Sequence, residues 1–96
     1  MGFAAYFETH LYSDVRMSTV PSRHTPALSS WYPGLFPLRE LLKFPPDAEL
    51  TFRIWRKVDE GGVWYEWCVE YRDEQSGMPV RTAIQNAHGS SQYLRL

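Results

Sequence analysis

Residues 50–58 and 63–72 alternate apolar and polar positions with the two-residue period of half-buried strands. In the first run Leu50, Phe52, Ile54, Arg56 and Val58 share one face, while Thr51, Arg53, Trp55 and Lys57 share the other. In the second, Val63, Tyr65, Trp67, Val69 and Tyr71 alternate with Trp64, Glu66, Cys68, Glu70 and Arg72. Asp59-Glu60-Gly61-Gly62 separates the runs, so the pattern predicts a hairpin. A two-residue Gly61-Gly62 loop, with both glycines at positive φ, sets Lys57 opposite Glu66 and Arg53 opposite Glu70. Both pairs are oppositely charged. That favours this register over a four-residue loop, which pairs Lys57 with Trp64 and Arg53 with Cys68.

The rest of the chain reads less evenly. Residues 2–12 predict a first strand with Phe3, Ala5, Phe7, Thr9 and Leu11 on one face. Residues 13–36 show no clear period, and three prolines stiffen them. A structureless connection of that length suggests a hidden element, and a short edge strand through Val15, Met17 and Thr19, returning from a Ser13-Asp14 turn, fits. Trp31, Tyr32, Leu35 and Phe36 then anchor the far end of the segment. Residues 37–44 predict a short helix: Pro37 suits its first position, Leu38, Leu41 and Leu42 form an apolar stripe, and Pro45-Pro46 stops it. Gly77 suits a left-handed turn position before Met78, Val80, Thr82 and Ile84, which are expected to face the core. Asn86–Ser91 is a polar loop, and Leu94 and Leu96 belong to a short last strand. The fold class expected is α+β: an antiparallel sheet of four or five strands, ordered strand, long loop, short helix, β-meander, with the helix covering one face. Residues 1–96 are expected to form a single domain.

Composition narrows the function classes. The chain is 44% hydrophobic and 16% aromatic, which makes it globular, and its net charge of −1 argues against a dedicated binder of duplex nucleic acid. Cys68 is the one cysteine, so no intramolecular disulfide forms. The first residues lack a basic leader, and Glu8 and His10 interrupt their apolar run. They read as neither signal peptide nor membrane span, and the expected location is cytoplasmic, with no membrane partner.

No catalytic constellation emerges. His10, His24 and His88 have no ligand-pair spacing, so no metal and no cofactor is expected. Cys68 lies mid-strand and reads as a packing thiol. Glu66 and Glu70 lie roughly 13 Å apart along a strand, too far for paired-carboxylate glycoside chemistry. The positive signal is in the aromatics. Tyr65, Trp67 and Tyr71 fall on the core face with Phe52, Ile54 and Val69, which leaves Trp55 and Trp64 on the other face among charged residues. Trp, Tyr and Arg are the residues enriched at binding hot spots. The expected partner-binding set is therefore Trp55, Trp64, Arg53, Lys57, Arg72 and Arg81, with Arg23 added from the proline-marked loop. The function expected from sequence is a small non-enzymatic protein-binding module, an inhibitor or adaptor docking on a larger protein, of the kind used in anti-defence or immunity. A second copy of the chain is an alternative protein partner. The runner-up is a single-strand nucleic-acid module using the same Trp and Arg residues.

Overall fold

The described residues form strands β1 (Gly2–Ala5), β2 (Glu8–Tyr12), β3 (Val15–Ser18), β4 (Gly34–Pro37), which was not expected, β5 (Thr51–Val58), β6 (Gly62–Arg72), β7 (Pro79–Arg81) and β8 (Leu94–Arg95). Two 3-10 turns, Pro21–Arg23 and Ala87–Gly89, complete the elements. The structure, a computed structural model, describes residues 1–26, 28 and 34–96. Trp31 and Tyr32, expected as anchors, lie outside the described residues. The chain forms two compact units, Gly2–Pro37 and Leu38–Leu96 with Met1.

In the first unit the expected single N-terminal strand is two. β1 pairs antiparallel with β4, setting Phe3 beside Phe36, and β2 pairs antiparallel with β3, setting Glu8 beside Ser18. The switch comes at Phe7, whose N–H donates to Thr19 Oγ1 at 2.9 Å while the Thr19 N–H donates back to the Phe7 carbonyl at 2.8 Å. The short strand expected through Val15 and Met17 is present as β3, and Ser13 at φ 51 makes the turn before it.

In the second unit β6 is central. β5 pairs along one of its edges, while β7 and β8 share the other, at opposite ends of β6. All of these pairings are antiparallel. The β5–β6 register differs from the expected one: Lys57 stands opposite Trp64 and Arg53 opposite Cys68. Asp59 is the reason. Its Oδ1 accepts the N–H groups of Gly61 and Gly62, both at 2.9 Å, and its own N–H donates to the Gly62 carbonyl at 3.0 Å. A carboxylate that closes the turn in this way lengthens the loop to four residues. Positive φ is then unnecessary at Gly61 and Gly62, and neither has it. Gly77 does, at φ 69.

The expected helix at 37–44 is not formed. Leu42 N–H, which a helix would bond back to Leu38, goes to Met1 Sδ at 3.4 Å instead, while Leu38 N–H and Arg39 N–H are held by the Met1 carbonyl at 2.9 Å and Gln85 Oε1 at 3.0 Å. Glu40 in turn accepts from the Ala83 N–H and from Gln85 Nε2. A two-turn helix is marginal alone, and these tertiary bonds outcompete it. The described fold is thus antiparallel β with only 3-10 turns beside it.

Trp67 (2% exposed), Cys68 and Val69 (both 0%) form the buried centre of β6, with Leu38 from the segment that replaces the helix. Phe44 packs a tilted ring on Tyr71 at 5.9 Å. This segment covers the Arg72 end of one sheet face. At the hairpin end of that face, Ile54 and Tyr65, both expected in the core, are 43% and 41% exposed. Leu41, Met78 and Ile84 are also exposed rather than buried. Among the described residues no helix is long and apolar enough to cross a membrane.

Candidate functional site

The face of the main sheet that carries Trp55 and Trp64 is a network of paired groups. Glu70 stands opposite Arg81 on β7 and diagonal to Arg53 on β5. Its Oε1 takes Arg53 Nε at 2.9 Å and lies 3.5 Å from Arg81 Nε. Arg53, then Arg81, hold the Glu70 carboxyl below the usual carboxylate range. Arg81 also donates to Cys68 Sγ at 3.3 Å, and its guanidinium sits 5.6 Å from the centre of the Trp55 ring. Trp55 is therefore half-buried under a cation, a contact that adds to the packing of the ring.

Trp64 is half-buried as well. Tyr93 lies against it with ring centres 5.6 Å apart, and its indole N–H donates to Glu66 Oε2 at 2.8 Å. The same oxygen accepts the His88 N–H at 3.0 Å. The indole and then the His88 amide lower the Glu66 pKa, and Lys57 adds a smaller effect through space. Glu66 is therefore satisfied by the loop after β7 rather than by the direct Lys57 pair expected from sequence.

That loop is held by Asn86, a residue sequence reading passed over as loop filler. Asn86 adopts φ 56, and its buried side chain donates to the carbonyls of Tyr65 and Gln92 and accepts from the N–H groups of Ser91 and Gln92. His88 and Gly89 also have positive φ, at 57° and 68°. An Asn between two strand patterns is the available signal, since Asn tolerates the left-handed region better than most residues.

The seven residues expected to bind a partner are thus distributed unevenly. Arg53, Trp55, Lys57, Trp64 and Arg81 share one face of one sheet. Arg72 lies at the far end of β6, donating to the Gly77 carbonyl at 3.0 Å. Arg23 belongs to the other unit, where it pairs with Glu8 at 2.6 Å. No group of three metal-ligating side chains occurs among the described residues. An open groove of about 520 Å³ near the Arg72 end is lined by Pro45, Asp47, Glu49, Tyr71 and Pro79, among others.

The opposite face of the sheet is apolar and open near the hairpin. Ile54, Val58 (55%), Tyr65 and Leu94 (64%) are all exposed there. Val58 stands opposite Val63, and Val63 opposite Leu94, so these three side chains form one row across three strands. Isolated exposed apolar residues are ordinary, but a contiguous patch points to a partner surface.

Comparison with known proteins gives the family of the chain. Residues 1–94 match the family model of the PRMT5 oligomerisation domain. The chain is 47% identical over 96 residues to protein arginine N-methyltransferase 5 of Caenorhabditis elegans, covering all of this chain and 13% of that protein. It is 40% identical over 90 residues to the Xenopus laevis protein of the same name, covering 94% of this chain and 13% of the relative. It is 33% identical over 94 residues to protein arginine N-methyltransferase skb1 of Schizosaccharomyces pombe, covering 94% of this chain and 15% of the relative. The chain therefore spans only 13–15% of the length of these curated relatives. These matches overturn the functions expected from sequence, both the inhibitor or adaptor and the single-strand nucleic-acid module. They also correct the expectation of no enzyme connection, because the relatives are named as methyltransferases. The expected protein partner agrees, at the level of protein association, with the family's description. With residues 1–94 matched by the family model and 47% identity over 96 residues to a relative, the chain belongs to the PRMT5 oligomerisation domain family.

Proposed function

We propose that this chain is a self-association module of a protein arginine methyltransferase, with residues 1–96 working as one domain. The observation that carries the reading is the match of residues 1–94 to a family described as an oligomerisation domain. The chain corresponds to 13% of the Caenorhabditis elegans protein, so the methyltransferase activity in that relative's name is read here as a property of the longer protein. In this reading Arg53, Trp55, Trp64 and Arg81 stiffen the sheet. Their charges and ring faces are already engaged within the unit, which leaves them little to offer a partner. A rigid platform suits an association surface because little entropy is lost on docking.

The test is co-purification. Two differently tagged copies of the intact native protein are expressed together and captured through one tag. Recovery of the second tag in comparable amount is the expected result. Recovery of the captured copy alone, under conditions where the protein is folded, would remove the proposal.

A further inference from the structure

The open apolar face near the β5–β6 hairpin carries a charge pattern that fits its own copy. We infer that a second copy of this chain packs on the row Val58, Val63 and Leu94, with Arg56 of each copy paired to Glu60 of the other. The inference rests on the self-association reading above and names its surface.

Three observations support it. The row is contiguous across β5, β6 and β8, with Val58 and Leu94 exposed and Val63 half-buried between them, and the exposed Ile54 and Tyr65 extend it. Arg56 shares the face of Ile54 and Val58, is exposed, and has no carboxylate within ion-pair distance among the described residues. Glu60, two residues beyond Val58 in the hairpin loop, is exposed and unpaired in the same sense. A cation and an anion thus flank Val58 at equal distance along the chain.

An isologous contact places the same patch on both sides, so each residue meets its counterpart reflected about the axis. A two-fold axis between two face-packed sheets, crossing β5 at Val58, sets Arg56 over Glu60 of the copy and Glu60 over Arg56 of the copy. The apolar row then lies on the axis, and packed sheets about 10 Å apart are within reach of an Arg and a Glu side chain. A partner of different sequence needs no such symmetry of charge about Val58. The pattern therefore selects a copy of this chain over another protein.

The experiment uses charge reversal in the intact native protein, with Arg56→Glu and Glu60→Arg made separately. Both positions are exposed, and melting temperature verifies that each variant folds. Each variant alone brings like charges together twice in the contact, so its self-association should weaken by about tenfold or more. An equimolar mixture of the two restores both ion pairs, and mixed assemblies should form with near wild-type affinity. Singles that associate as the wild type does would overturn the surface, meaning that another segment of the polypeptide or a different protein covers this face. Weakened singles whose mixture stays dissociated would overturn it as well. A wild-type protein that is one copy at every concentration would instead remove the self-association reading itself.

Discussion

Replacing Asn86 separates the two roles its side chain and backbone play in the loop after β7. The amide makes four hydrogen bonds of 2.8–2.9 Å, to the carbonyls of Tyr65 and Gln92 and from the N–H groups of Ser91 and Gln92. Each is worth roughly 0.5–1.5 kcal/mol net, and with the loop free to take up water the lower half applies, about 2–4 kcal/mol in all. Alanine at φ 56 adds left-handed strain of about 1–2 kcal/mol. Asn86→Ala should therefore cost about 3–6 kcal/mol, a large share of the roughly 5–15 kcal/mol typical of a domain. Asn86→Gly loses the same four bonds but not the strain. Part of that gain is offset by the greater freedom of glycine in the unfolded chain. The glycine variant should thus be about 1 kcal/mol more stable than the alanine variant. The assay is urea unfolding followed by tryptophan fluorescence, with the midpoint read at constant slope. A cost below about 1 kcal/mol for Asn86→Ala would refute the bonding argument. Equal stability of the two variants would refute the strain argument.

Gly62→Ala should detach β8, because a Cβ there meets the Leu94 carbonyl and lies 2.6 Å from Tyr93 Cζ, and a backbone atom cannot swing aside. The expected cost is about 1–3 kcal/mol, with faster amide exchange at Leu96, whose N–H donates to the Gly61 carbonyl at 3.0 Å; unchanged exchange would contradict it. Trp67→Ala, at 2% exposure, should cost about 3–5 kcal/mol in the same unfolding assay. Acid should weaken the hairpin through Asp59. The Tyr93 hydroxyl, with the Gly61 and Gly62 amides, holds its native pKa below the unfolded value, so its contribution is complete above about pH 5 and fades as pH falls through the lowered value. Asp59→Asn should therefore flatten the dependence of melting temperature on pH below about pH 5, and an unchanged slope would contradict the linkage.

Alternation made β5 and β6 legible, and the turn residue Gly77 was legible for a similarly local reason, whereas β4 and the break between β1 and β2 were not. The register was not, because a charge pair does not require direct opposition. Arg53 reaches Glu70 at 2.9 Å along the diagonal while standing opposite Cys68, so the favourable pair is compatible with either loop length. The deciding group was Asp59, whose carboxylate binds two turn amides and the Tyr93 hydroxyl. An Asp opening a Gly-Gly turn is a readable signal. The helix failed differently: Leu38, Leu41 and Leu42 have helical spacing, but the groups that claim the segment's backbone donors are Met1 and Gln85, far along the chain, while Ala83 and Gln85 take the Glu40 side chain. Nor does alternation distinguish a face that turns inward from one that docks, since both are apolar. Ile54 and Tyr65 were placed in the core for that reason and lie exposed. The family was recognised by comparison over the whole chain and not by any stretch singled out in the sequence.

The central claim is that this segment brings copies of the protein together. Sedimentation of the intact native protein, from nanomolar to high micromolar concentration, measures that directly when compared with the same protein lacking these 96 residues. A whole-number multiple of the single-copy mass that falls to one copy on deletion is the predicted result. A mass unchanged by the deletion, with the remaining protein still folded by circular dichroism, would contradict it.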